Sequence, residues 1–121
     1  MKRKHHDLLA WQQAIKLVEA VYLVTQSFPR EEIYGLTSQI RRAAVSVPSN
    51  IAEGAARSGA KEFAHFLAMA RGSLSELETQ LIIARNLGYL KTDNDIFELL
   101  EKVFALTGGL LASLRKQTSN K

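Results

Sequence analysis

Cysteine is absent from this chain of 121 residues. That excludes a disulfide scaffold, a zinc ribbon and a thiol nucleophile together. Proline occurs only at Pro29 and Pro48, and aromatic residues make up 7% of the chain. No apolar run approaches the ~20 residues that span a bilayer. The basic start is followed by Gln12, Gln13, Lys16 and Glu19, which break up any signal-peptide core. A cytoplasmic protein with no membrane attachment is expected. No Walker-type loop, no Gly-x-Gly-x-x-Gly and no nucleophile elbow is present. The pair Gly108-Gly109 lacks the preceding strand that a phosphate loop requires. The expectation is therefore a protein that is not an enzyme, with no catalytic residue and no cofactor.

Apolar material is plentiful, at 46% of the chain, enough for the core of one domain spanning residues 1–121. Its spacing predicts four helices, over about residues 8–27, 31–57, 61–87 and 93–116. In the first, Leu8, Trp11, Ile15, Val18, Tyr22 and Thr25 form a 3-4 seam, with Ala14, Leu17, Val21, Val24 and Phe28 as a second stripe. Asp7 is placed to cap it, and Pro29 ends it. The second helix turns Ile33, Leu36, Ile40, Ala43, Val47 and Ile51 inward and is expected to kink at Pro48. Phe63, Leu67, Ala70, Leu74, Leu77, Leu81 and Ala84 carry the third, which Gly88 terminates. Ile96, Leu100, Val103, Leu110 and Leu114 carry the fourth, capped by Thr92 or Asp93. Short connections make successive helices antiparallel, so the expected fold is an all-α, up-down-up-down four-helix bundle.

The fourth helix is apolar in almost every direction, and the first carries two stripes plus Leu23, which predicts self-association, with Phe97, Phe104 and Leu111 as candidate contacts. Gly108-Gly109 inside that helix costs about 1 kcal/mol per glycine relative to alanine, and close approach of a neighbour is one reason to tolerate it. A polar network is expected between the second and third helices. Ser46 and Asn50 lie near the proline, Arg42 opposite Glu76, and Glu53 opposite His65. Glu62 and His65 have the Glu-x-x-His spacing of carboxylate-bridged metal bundles, but a second copy is missing, so no metal site is assigned.

Net charge is +4, and its placement says more than its size. Six cations, Lys2, Arg3, Lys4, Arg115, Lys116 and Lys121, lie in tails spanning residues 1–6 and 115–121, and the body holds ten basic against twelve acidic residues. In an up-down-up-down bundle both tails meet the turn after the second helix. Lys2, Arg3, Lys4, Arg57, Lys61, Arg115 and Lys116 then form a candidate nucleic-acid or anion surface at one pole.

Several segments resemble the four-helix-bundle family of 23S rRNA intervening-sequence proteins. They are Asp7-Leu8 with Trp11-Gln12, Phe28-Pro29, Gly35-Leu36, Gln39 with Arg41-Arg42-Ala43-Ala44, and the run from Ser46 to Gly54. Gly72-Ser73, Glu76 to Leu81 and Leu87 to Leu90 continue the likeness. The resemblance implies a left-handed bundle assembled as a homopentamer. It also implies similarity to the accessory protein of diversity-generating retroelements, which binds a reverse transcriptase and nucleic acid. The leading expectation is a non-enzymatic oligomeric binding module, an adaptor associated with RNA or a nucleoprotein. A protein-only scaffold ring is the alternative, and a carboxylate-bridged metal protein the third reading.

Overall fold

The computed structural model describes residues 2–119; Lys121, assigned to the basic tail, lies outside the described residues. The chain forms α1 (Leu9–Thr25), α2 (Leu36–Ala55), α3 (Ala60–Asn86) and α4 (Ile96–Ser119), with 3-10 turns at Lys4–Asp7 and Arg30–Glu32. It is an all-α four-helix bundle. Each helix packs on its neighbour in sequence, α1 closes on α4, and no diagonal pair brings Cα atoms within 8 Å among the described residues.

Cross-helix contacts run in opposite senses along each consecutive pair. Thr25 near the end of α1 meets Arg41 near the start of α2, whereas Trp11 shares a cleft with Pro48 and Ala52. Arg71 reaches Phe104 and Thr107, and Arg85 lies over Phe97. The same register brings Arg115 level with the start of α3.

The core is the inward stripe of each helix, with Leu17, Ile40, Leu74, Leu77 and Leu100 fully buried. Each such side chain is worth ~1.5–3 kcal/mol relative to exposure. In α1 the stripe that fills the core is Ala10, Ala14, Leu17 and Val21. Of the other seam, Trp11, Ile15 and Val18 are half-buried along α2, and Tyr22 is 42% exposed. Helix α2 runs unbroken through Pro48. On either side of it the Ser49 hydroxyl donates to Val45 O at 2.8 Å and Asn50 Nδ2 to Ser46 O at 2.9 Å. Gly54 is buried, and a Cβ there would lie 2.8 Å from Phe66 Cβ and 2.9 Å from Phe63 Cδ1. The α2–α3 backbones therefore approach closely at this level.

Helix ends depart from the sequence reading. Asp7 does not cap α1: it sits in the 3-10 turn, paired with Lys2 at 2.8 Å. Helix α2 starts at Leu36 rather than residue 31, because a 3-10 turn intervenes and Glu32 Oε1 accepts the Leu36 N–H at 3.2 Å. Helix α4 starts at Ile96, whose N–H is accepted by Asn94 Oδ1 at 2.9 Å, not by Thr92 or Asp93. Gly88 does end α3, with φ +84. Its N–H reaches Arg85 O at 3.0 Å, and the Tyr89 N–H reaches Ala84 O at 2.9 Å, a Schellman closure.

Candidate functional site

Two surfaces stand out, one at each end of the α1–α2 pair. At the first, the 3-10 turn at Lys4–Asp7 lies against α2, with His5 beside Pro48, Ser49 and Ala52. His5 and His6 pack on the Trp11 ring at 5.0 and 5.2 Å. Gln12 Nε2 donates to His6 O at 2.8 Å, and the Arg3 N–H donates to His6 Nδ1 at 2.9 Å. Removal from water, together with the charges of His6 and Arg3, lowers the His5 pKa below its ordinary 6.5.

Cations at this pole divide by partner. Lys2 pairs with Asp7. Arg57 meets Glu53 at 3.5 Å and Glu62 at 4.0 Å and lies over the Phe66 ring. Exposed pairs of this kind contribute about 0–1 kcal/mol. Lys4, Lys61, Arg115 and Lys116 are exposed and make no ion pair among the described residues.

The expected polar network is only partly brought together. The Ser46 and Ser73 hydroxyls hydrogen-bond to one another across α2 and α3, and Asn50 turns back on Ser46 O. Glu53 faces Arg57 instead of His65, which is exposed and edge-on to Phe66. Arg42 and Glu76 form no ion pair: Arg42 lines a cleft between α1 and α2, and Glu76 accepts from Gln80 Nε2 at 3.4 Å. Matching residues by level along the two helices leaves open which way round each helix they point. With Glu62 on Arg57 and His65 on Phe66, no three His, Cys, Asp or Glu side chains come together among the described residues.

The expected contact face on α4 needs correction at Leu111. Leu111 is 7% exposed and belongs to the bundle's own core. Phe97 and Phe104 are half-buried, beneath the guanidinium groups of Arg85 at 4.9 Å and Arg71 at 5.7 Å. Arg71 also explains Gly108. Its guanidinium donates to Phe104 O at 2.7 Å and Thr107 Oγ1 at 3.1 Å, and a Cβ on Gly108 would sit 2.7 Å from its terminal nitrogen. The close neighbour is α3 of the same chain.

The second surface was not anticipated from the sequence. A cleft of about 730 Å³ opens between the end of α1 and the start of α2. Its cations are Arg30, Arg41 and Arg42, and no carboxylate lines it. Arg41 Nε donates to Thr25 Oγ1 at 2.8 Å, and its guanidinium lies 4.6 Å over the Tyr22 ring. Tyr22, Ile33 and Val45 supply an exposed apolar wall. The signal available in the sequence was Arg41-Arg42 four and five residues after Thr37, but it becomes a site only beside Thr25 and Tyr22 of another helix.

No helix is long and apolar enough to cross a membrane among the described residues. No curated protein matches the sequence. The family model described as 23S rRNA-intervening sequence protein matches residues 6–110, which takes in all of α1, α2 and α3 and more than half of α4. The chain therefore belongs to the 23S rRNA-intervening sequence protein family.

Proposed function

We propose that this protein is a non-enzymatic binding module that assembles with copies of itself and takes a polyanion, RNA or a nucleoprotein, at its basic pole. The observation that carries the reading is the set Lys4, Lys61, Arg115 and Lys116, exposed and outside any ion pair among the described residues. Arg115 and Lys116 also suit the negative end of the α4 dipole. Lys61 has no such structural reason, since it lies in the first turn of α3, where positive charge is disfavoured. Exposed cations of this kind bind a phosphate backbone by releasing its condensed counterions, without reading base sequence. The family's name connects it with 23S rRNA and so directs the choice of probe.

Filter binding of a single-stranded RNA at two salt concentrations tests the reading. With the four exposed cations each on one phosphate, affinity should fall about fifty-fold between roughly 50 and 200 mM salt. Charge reversal at Lys61 and Lys116 together should flatten that dependence. Retention that ignores salt, or no retention at all, contradicts the polyanion reading and leaves a protein-only scaffold.

A further inference from the structure

The α1–α2 cleft has features that the basic pole lacks. Arg41 is held in place by Thr25 and Tyr22, so little side-chain freedom is lost when its remaining N–H groups take a partner. Thr37, 5% exposed, lines the same cleft, and its Oγ1 has no hydrogen-bond partner among the described residues. The wall of Tyr22, Ile33 and Val45 is apolar, which suits a protein side chain better than a phosphate backbone.

A complementary surface exists on the same molecule. Met69, Gly72, Glu76, Thr79, Ile83 and Leu87 are all exposed and recur at helical spacing, so they share the outward face of α3. Met69, Ile83 and Leu87 are 47, 44 and 56% exposed, around a glycine at position 72 that leaves open space. Glu76 sits mid-stripe with no cationic partner among the described residues. Beside it is Gln80, 8% exposed, whose Oε1 is the other buried side-chain atom without a partner among the described residues. One face thus offers arginines, the other a carboxylate. Both carry apolar side chains that water would otherwise cover.

We propose that the α1–α2 cleft of one copy receives the outward face of α3 from a second copy, with Glu76 against Arg41 and Arg42. The inference rests on the self-association reading above and names the surfaces that meet. Because the faces differ, the contact is heterologous, and repetition closes a ring or extends a filament according to the rotation between copies.

Sedimentation velocity on the full chain tests the contact, using Arg42→Glu, Glu76→Arg and the double variant, with circular dichroism to verify helix content. Both positions are exposed, so the variants should fold. The expected result is an assembled wild type, each single variant falling to the 13.5 kDa of one chain, and assembly restored in the double variant. Single variants that assemble like the wild type, or a double variant that stays dissociated, overturn the named contact while self-association stands. A wild type of 13.5 kDa at every concentration overturns both.

Discussion

At the residue scale, the chain's most exacting positions are set by close approach between helices. Gly54 has no room for a Cβ because Phe63 and Phe66 of α3 lie against it. Gly54→Ala should destabilise the bundle by about 1–3 kcal/mol, as overpacking does, read as a lowered midpoint in urea unfolding; an unchanged midpoint would contradict the packing. Gly88 was legible in the sequence because its role is local, the closing of its own helix. Gly54 was not, because its constraint comes from residues in another helix. His5 is a second residue-scale test. Its lowered pKa means that the folded state favours the neutral ring, so its contribution is complete above pH 6.5 and is lost as pH falls through the folded value. An NMR titration should place the His5 midpoint below 6.5, and a midpoint at or above that contradicts its burial against Trp11.

At the scale of the element, helix interiors were legible and helix ends were not. Periodic leucines fix α3 whatever surrounds it, since Leu67, Leu74, Leu77 and Leu81 are all fully buried. The start of α2 instead depends on Glu32, which accepts the Leu36 N–H through Oε1 and the Tyr89 hydroxyl through Oε2 at 3.0 Å. One carboxylate thus holds the α1–α2 connection to the α3–α4 connection, 57 residues away in sequence, and no spacing rule reveals it. That hydrogen bond, with the negative charge of Glu32 and Glu31, raises the Tyr89 pKa above 10.0. Its contribution is therefore present below pH 10.0 and lost as pH rises through the folded value. Glu32→Ala removes a cap and a tyrosine partner together and should cost about 1–2 kcal/mol, by analogy with lost N-caps. Thermal unfolding measures it, and a melting temperature equal to wild type would show that Glu32 does not tie these segments.

At the scale of the whole molecule, the apolar surplus read from the sequence is exposed on α1, at Leu23 among others, but largely covered on α4. Apolar composition placed it on α4 as well as α1, but on α4 Arg71 and Arg85 lie over Phe104 and Phe97 and the core absorbs Leu111. The large hydrophobic residues left exposed are on α1, on α3, at Val45 in the middle of α2, and in the turns before α2 and after α3, including Leu23 at 67% and Leu87 at 56%. A count of apolar residues on one helix does not reveal that long cationic side chains from the neighbour will lie over them. The cationic pole rests on chain order and short turns, an argument that the sequence alone supplies. The measurement that bears most directly on a self-associating module is sedimentation velocity of the wild-type chain on progressive dilution. The account predicts a discrete species at a multiple of 13.5 kDa that dissociates only at low concentration. A compact 13.5 kDa monomer across the whole range would contradict it.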